Sequence, residues 1–378
     1  MQAKSIKGRS AGEIQTALRH SLVEGYIPTL AIVFITNIEN ADAIRTILDK
    51  ENIAIFGAST SQKFTEQGLE EDDITVLLLD VNTDYFKIVL EDYKETSPYE
   101  AASKTGTIGI DSFNNPGFII SSSDSRVPGE ELISGLVDSA GDEVTVMGGV
   151  AGNPATLTGI VFTNNSYSAD GILALIIDQD KIEISGLAVS GWKPAGTAKR
   201  ITKSEGSWIY TIDDEPAMNV IRKFLGDGIN FNTDVENMVP LDQGYPLQFQ
   251  RTSGTPLMRP VLLWNTSDQS VLVGGGVKEG ETFRFSLPPD FDVIDTVVES
   301  TRIAKENEMQ DADALIVFSC VARLGSLGPM ISEELEGLAA TWKKPMIGFF
   351  SLGEYGKLID SQCEFHGTTV SWVALKEK

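Results

Sequence analysis

The stretch Leu30-Ala31-Ile32-Val33-Phe34-Ile35, together with Ile53-Ala54-Ile55-Phe56 further along the chain, decides the fold class. Both runs are short, apolar and rich in β-branched residues, which is typical of strands buried on both faces of a sheet. Between them, residues 39–51 carry Ile44, Ile47 and Leu48 at helical spacing. A strand, a helix and a second strand form a β-α-β unit, which predicts a parallel strand pair joined by a right-handed crossover.

The same pattern returns near the C-terminus. Residues 314–318 predict a buried strand, residues 328–342 a helix and residues 345–350 a second buried strand. We interpret the two copies as a duplication, although any two β-α-β units look alike. Between the copies, three short strand patterns separated by turn residues predict an antiparallel meander over 159–163, 171–178 and 181–189. The sequence thus predicts an α/β (α+β) protein of two related halves, each a mixed β-sheet with packed helices.

Composition excludes several classes of protein. The chain has 378 residues, and 54 acidic against 30 basic side chains make its formal net charge −24. Such a surface repels phosphate backbones, and no segment concentrates Lys and Arg, so nucleic acid is not an expected partner. The longest apolar runs are far shorter than the roughly 20 residues that span a bilayer. Because the polar N-terminus also lacks a secretory signal, we expect a cytoplasmic protein without a membrane partner.

Cysteine and histidine are scarce in this chain. Cys320 and Cys363 form neither a CxxC metal pair nor a disulfide framework. His20 and His366 are too few for a multi-histidine metal site, and a histidine-based triad has to use one of them. Spacing alone assembles no nucleophile with a base, so we expect no metal site and name no catalytic residue.

The ends of the predicted parallel strands carry candidate binding residues. Ligands of α/β sheets gather at such ends, and these ends hold Ser59-Thr60, Cys320 with Arg323, and Gly353-Glu354. An Arg suits a carboxylate and a Glu suits an ammonium group, so the set favours a small zwitterion such as an amino acid. The alternative is that Arg323 and Glu354 pair with each other. Cys320 is either a small buried hydrophobe or a reactive thiolate favoured by Arg323.

Two further features are candidates for a bound group. The run Gly148-Gly149-Val150-Ala151-Gly152-Asn153 matches neither GxGxxG nor GxxxxGK[ST], so a tight turn or close packing is favoured over a phosphate cradle. His366 begins the predicted last strand, over 367–375. It is either a hydrogen-bonded structural residue or an axial ligand of haem iron.

Taken together, these motifs resemble the FIST family. The N-terminal half of that family is similar to Phe56–Thr60 and Gly148–Asn153. Its C-terminal half is similar to Arg259-Pro260, Val273–Val277, Phe318–Arg323, Gly348–Glu354 and His366–Thr369. The resemblance covers about residues 30–375 and depends on the order and spacing of the motifs. It implies a FIST N-terminal domain over 30–212 and a FIST C-terminal domain over 213–378. For residues 1–29, Ser10 followed by Glu13 fits a capping box and predicts an N-terminal helix.

The resemblance implies an intracellular sensory protein that binds a small, amino-acid-like ligand at the junction of its halves. One bacterial subgroup binds haem and senses nitric oxide through a histidine kinase, so a haem sensor using His366 is an alternative. An enzyme using Cys320 and a scaffold without ligand are the others. No kinase, cyclase, receiver or F-box segment is recognised before residue 30 or after residue 375, so we expect a signalling partner in trans. The candidate ligand-binding residues are Ser59, Thr60, Gly148, Gly149, Gly152, Asn153, Cys320, Arg323, Gly353, Glu354 and His366.

The chain departs from the family pattern at three places. Ala58-Ser59-Thr60-Ser61-Gln62 stands where the family often has Cys-Ser-Thr-x-Gly-Glu. Asn153 replaces the usual Asp, and Tyr355 replaces an Ile. Ligand contacts that need an acid at 62 or 153 are therefore not expected here.

Overall fold

A computed structural model of the chain describes residues 1–23, 25–226, 238–240, 244–251, 254–287, 289–359 and 361–378. Within these ranges, helices pack on mixed sheets, which confirms the predicted α/β class. Both predicted β-α-β units contain a parallel strand pair. In the same ranges, no helix combines the length and apolar character needed to cross a bilayer.

Three copies of one unit make up most of the chain. The first contains β1 (Gln2–Gly8), α1 (Ala11–Ser21), β2 (Leu30–Ile35), α2 (Ala41–Lys50), β3 (Ala54–Ser59), β4 (Lys63–Thr65), β5 (Gly68–Glu70) and β6 (Ile74–Asp80). The second contains β7 (Phe86–Asp92), α3 (Pro98–Ser112), β8 (Pro116–Ser122), α4 (Gly129–Ala140), β9 (Thr145–Val150), β10 (Val161–Phe162), β11 (Tyr167–Ser168) and β12 (Gly171–Asp178). The third begins with β13 (Ile182–Val189) and resumes after an insert.

The insert forms a separate nine-stranded sheet. It contains β14 (Pro194–Glu205), β15 (Trp208–Ile212), β16 (Glu215–Pro216), α5 (Ala217–Leu225), β17 (Met238–Pro240), β18 (Leu247–Phe249), β19 (Leu257–Arg259), β20 (Val261–Asn265), β21 (Val271–Val273) and β22 (Thr282–Ser286). The third unit then continues with α6 (Phe291–Asn307), β23 (Ala314–Cys320), α7 (Val321–Leu327), α8 (Ile331–Trp342), β24 (Met346–Ser351), β25 (Glu354–Lys357), β26 (Cys363–His366) and β27 (Val370–Glu377).

The three units exchange hairpins in a closed ring. Each six-stranded sheet has the same order: two antiparallel strands, a parallel pair and a hairpin, as in β1-β6-β2-β3-β10-β11. The other two sheets read β7-β12-β8-β9-β25-β26 and β13-β27-β23-β24-β4-β5. The hairpin of the first unit therefore completes the third sheet, that of the second completes the first, and that of the third completes the second. The duplication predicted from the sequence thus extends to a third copy.

An aromatic ring lies opposite a glycine at the same position of each sheet. Phe162 faces Gly57, Tyr355 faces Gly148 and Phe64 faces Gly348 across the exchanged hairpins. A Cβ atom built on Gly57 would lie 2.3 Å from the ring of Phe162, and one on Gly348 would lie 2.2 Å from that of Phe64. The ring covers the backbone that a glycine leaves open.

The inner faces of the three sheets share one hydrophobic core. That core includes Phe34 and Phe56 of the first sheet, Ile119 of the second, and Phe318 and Phe349 of the third. The helices cover the outer faces and form a separate core with each sheet. Strands buried on both faces explain why they read as continuous apolar runs.

The predicted antiparallel meander is wrong. Strands β10, β12 and β13 occupy its three segments, but they belong to three different sheets. Each strand finds its partners in distant parts of the chain, because the hairpin exchange separates sequence neighbours. Turn residues between short strands do not by themselves define pairing.

Candidate functional site

Glu354 lies in a buried polar cluster where the parallel strands of the third sheet end. Its Oε1 is 2.6 Å from Ser351 Oγ. Thr369 donates to its Oε2 through the backbone N–H at 3.2 Å and through Oγ1 at 2.9 Å. Burial raises the pKa of Glu354 to about 8, although these hydrogen bonds oppose the shift. The carboxyl group is therefore mostly protonated at neutral pH.

Cys320 is buried beside this carboxyl group. Burial raises the pKa of its thiol well above the usual range, and the charge of Glu354 raises it further. The expectation that Arg323 favours a thiolate is not supported, because that guanidinium is directed elsewhere. The geometry matches the small buried hydrophobe rather than a nucleophile.

Arg323 forms a fully buried ion pair with Glu334 of α8, not with Glu354. Its Nε donates to Glu334 Oε1 at 3.1 Å, and its Nη2 donates to Oε2. Its Nη1 donates to the carbonyl oxygens of Ser190 at 2.6 Å and Thr368 at 3.2 Å. The guanidinium also lies over the ring of Trp192. All three nitrogen atoms of the Arg323 guanidinium donate hydrogen bonds. The side chain therefore connects the residue after β13 and the turn before β27 to α8.

His366 is fully buried in β26, opposite Glu354 of β25. Its Nε2 lies 3.0 Å from the Gly356 carbonyl oxygen. Burial lowers the pKa of the imidazole to about 3, so the ring is neutral. The ring is fully buried and lines none of the five cavities described for the chain, so these residues leave no space for haem beside His366.

The remaining candidates divide into two groups. Gly149 pairs with Glu354, and Gly353 packs against Phe365, so both lie at the Glu354 cluster. Gly148 is opposite Tyr355 in the same ladder. The other group lies at the end of β3, where Ser59 Oγ accepts a hydrogen bond from Ile160 N and Thr60 forms an isolated parallel β-bridge with Gly152. Asn153 lies in an exposed turn, and its Oδ1 accepts a hydrogen bond from Ala155 N. Thr60 also reaches the first group, because its Oγ1 donates to the carbonyl oxygen of Phe350, the residue before Ser351, at 3.3 Å.

Lys63 occupies the position in the third sheet that Glu354 occupies in the second. Lys63 pairs with Phe349 as Glu354 pairs with Gly149, and Val161 is the counterpart in the first sheet. The Lys63 side chain is buried, and its Nζ donates to Thr36 Oγ1 at 2.7 Å. Burial lowers the pKa of this amine. The repeat therefore places an acid, a base and an apolar residue at equivalent sites.

A groove runs between the third unit and the insert. It consists of two cavities, of about 200 and about 570 Å³, that share Ser300 and Leu358 in their walls. Ala188 to Trp192 and Met258 line the smaller cavity. Thr296, Ser300, Ile303 and Asn307 of α6 line the groove at helical spacing.

The two ends of the groove differ chemically. The smaller cavity is mostly apolar, with Val189, Trp192 and Met258 in its wall. The larger one holds Glu308 and Lys357, whose Oε2 and Nζ atoms are 3.9 Å apart. Both side chains are close to half exposed. Such a wide, solvated ion pair is weak, so each charge is available to a ligand.

Sequence reasoning named none of the groove residues as candidates. Trp192 and Met258 are ordinary apolar residues in the sequence, and Glu308 and Lys357 are two of many charges. Helical spacing over 296–307 was the one available signal, but it indicates a buried helix face equally well. The groove arises only where the insert meets the third unit.

Comparison with known proteins identifies the family. The FIST N domain model matches residues 29–215 and the FIST C domain model matches residues 217–357. No curated protein matches the chain. Among solved structures, a chorismatase is 8% identical, with 98% of this chain and 97% of that chain covered and a TM-score of 0.37. A cyanuric acid hydrolase from A. caulinodans is 6% identical, with 99% of each chain covered and a TM-score of 0.35.

The two domain models meet at β16, directly before α5, and together they span most of the chain. The groove has walls from both matched segments, since Ala188 to Trp192 lie in the first and Met258 and α6 in the second. The chain therefore belongs to the FIST family of signal-transduction sensory domains.

Proposed function

We propose that this protein is a sensory module that binds a free amino acid with an apolar side chain in the groove between the two FIST domains. The observation that carries this proposal is the polarity of the groove. Glu308 and Lys357 lie at one end, and Trp192, Val189 and Met258 lie at the other.

The ligand's two charges match the charged end. Its ammonium group pairs with Glu308, which Ser185 Oγ already orients through a hydrogen bond of 3.0 Å to Oε2. Its carboxylate pairs with Lys357. Because the two protein charges are 3.9 Å apart, one α-amino acid spans both without moving the backbone.

The ligand's side chain enters the apolar end. Trp192 is held in place because its indole N–H donates to the Gly244 carbonyl oxygen at 3.0 Å. Gln248 fixes the same segment by donating to the Trp192 carbonyl oxygen at 3.1 Å. A wall that is rigid before binding reduces the entropy lost on association.

Isothermal titration calorimetry with a panel of free amino acids tests the proposal. We expect one saturable site that prefers apolar side chains. Methyl esters and N-acetyl derivatives of the preferred amino acid bind more weakly, because each lacks one charge. An exposed ion pair is worth about 0.2–1 kcal/mol, so Lys357→Met and Glu308→Gln each weaken binding by up to about fivefold.

Two variants on one helix provide the matched comparison. Ser300→Trp fills the passage shared by the cavities and abolishes binding, whereas Asp295→Trp places the same ring on the exposed face of α6. Equal binding by both variants contradicts the proposed site. A panel in which no amino acid binds contradicts the ligand class.

We also propose that a partner protein in trans reads the ligand-bound state. A sensory domain acts by changing a contact, and the groove joins two segments whose relative position a ligand can alter. Pull-down from cell extract with and without the amino acid identified by calorimetry tests this point. A set of captured proteins that does not depend on the ligand contradicts it.

A further inference from the structure

Arg259 at the end of β19 is a buried charge with an incomplete set of partners. Its side chain is 2% exposed. Its Nη1 donates to the Phe365 carbonyl oxygen at 2.7 Å, and its Nη2 donates to Glu130 Oε1. Throughout the described part of the chain, no acceptor lies within reach of its Nε. A buried guanidinium with a free N–H is costly unless something else completes it.

Glu130, in the first turn of α4, is the other half of this arrangement. Its side chain is 34% exposed, and its Oε2 has no hydrogen-bond partner among the described residues. A carboxylate normally binds the Nε and Nη2 edge of an arginine through two parallel hydrogen bonds. Glu130 accepts only the hydrogen bond from Nη2, so Nε on the same edge of Arg259 is left without an acceptor.

Gly275 and Phe365 pack closely against the guanidinium group of Arg259. A Cβ atom on Gly275, whose φ is +116°, would lie 2.6 Å from Arg259 Cζ. The ring of Phe365 lies 5.9 Å from the guanidinium carbon. Phe365 in turn packs against Gly129 and Gly353, where a Cβ atom would lie within 2.4 Å of the ring.

One further cationic group, Arg251, belongs to the same region. The charges of Arg259 and Arg251 add to burial in keeping His366 neutral. The Nδ1 atom of His366 is buried without a partner in the described ranges. Arg251 is paired with Glu364. Arg259 therefore offers an anion a buried charge with one N–H that has no acceptor.

We propose that Arg259 is a binding site for a small carboxylate, and that Glu130 is an internal placeholder that the ligand displaces. The incoming carboxylate accepts from both Nε and Nη2 of Arg259. Glu130 loses one hydrogen bond and turns into solvent, which its position at the surface allows. This site is separate from the groove and does not depend on it.

Displacement of Glu130 releases a contact between the two FIST domains. Glu130 lies in the segment matched by the FIST N model, and Arg259 lies in the segment matched by the FIST C model. The N-terminus of α4 is then no longer tied to the insert. Carboxylate binding is thereby converted into a change between domains.

Calorimetric titration of the full chain with sodium acetate, at constant ionic strength, tests the proposal. Glu130→Gln keeps the shape of the side chain but removes the competing charge, so we expect it to bind acetate about tenfold more tightly than wild type does. Glu131→Gln, an exposed neighbour in the same turn, binds as wild type.

Arg259→Lys keeps the charge but removes the two-pronged edge, and we expect it to lose acetate binding. Should that variant not fold, hydrogen exchange of wild type provides the second measurement. Acetate speeds amide exchange in the first turn of α4 in wild type and leaves it unchanged in Glu130→Gln. If wild type and Glu130→Gln bind acetate with equal affinity, the proposal that the Glu130 carboxylate competes for the ligand site is wrong. Methanesulfonate binding as tightly as acetate overturns the choice of carboxylate.

Discussion

Replacing Glu354 with Gln should change how the stability of the protein depends on pH. Burial raises the pKa of Glu354 from 4.5 to about 8 in the folded protein. The unfolded chain therefore releases this proton at lower pH than the folded chain. Its stabilising contribution is complete below pH 4.5 and is lost as pH rises towards 8. Glu354→Gln imitates the protonated carboxyl at every pH and removes this loss.

The useful window lies between pH 6.5 and pH 8. Below 6.5, His366 contributes with the opposite sign, because its folded pKa of about 3 makes stability fall as pH falls. Above 6.5 this opposing contribution is complete. One pKa unit corresponds to about 1.4 kcal/mol, so Glu354 accounts for a loss of roughly 2 kcal/mol in the unfolding free energy across this window.

Urea denaturation followed by circular dichroism measures the effect. The measurements are made at pH 6.5, 7.25 and 8. Between the lowest and the highest of these pH values, the unfolding free energy of Glu354→Gln minus that of wild type should increase by roughly 2 kcal/mol. Glu336→Gln, an exposed residue of α8, serves as the control and should follow wild type. If the difference in unfolding free energy between Glu354→Gln and wild type stays constant with pH, Glu354 is not a protonated, buried carboxyl group with a raised pKa.

Three other predictions follow from buried contacts. Glu334→Gln leaves the charge of Arg323 uncompensated, so urea denaturation should show a loss of about 3–5 kcal/mol. Gly57→Ala forces a methyl group against Phe162 and should cost about 1–3 kcal/mol, and adding Phe162→Leu should recover part of that loss. Cys320 should react with a thiol reagent in urea but much more slowly than a free thiol in the native protein, and equal rates would contradict its burial.

The parts of the fold that were predictable are those with strong local patterns. Residues 30–35 and 314–320 form strands because their apolar, β-branched runs are buried on both faces. Ser10 caps α1, as its sequence predicts, by accepting from Glu13 N. In each case the deciding interactions lie within a few residues or require only that the segment be buried.

The sequence did not predict helix α3 of the second unit, because α3 does not have a clear apolar stripe. Gly106 and Gly109 interrupt the pattern, yet both are buried. A Cβ atom on Gly106 would lie 2.1 Å from Ser139 Oγ, and one on Gly109 would lie 2.4 Å from Phe118. Helix α3 therefore packs so closely on α4 and β8 that only glycine fits at these two positions. The same glycines interrupt the apolar pattern by which a helix is predicted from sequence.

The candidate site was predictable only in part. Cys320, Gly149, Gly353, Glu354 and His366 do meet, because they end or flank strands that are neighbours in the sheets. The partner of Arg323 was not predictable among many acids. A buried charge takes the carboxylate that the packed helix brings to it, and for Arg323 this is Glu334 of α8 rather than the nearby strand residue.

By itself, the sequence determined the α/β class, the two outer β-α-β units, the acidic surface and the family motifs. These features depend on residue type and short-range spacing. Only the tertiary structure decided the ring of exchanged hairpins, the groove and the pairing of Glu130 with Arg259, which are separated by 129 positions in the chain. Two-residue strands such as β10 carry no local mark of the sheet they join, and a buried charge finds its partner only when distant segments have packed together.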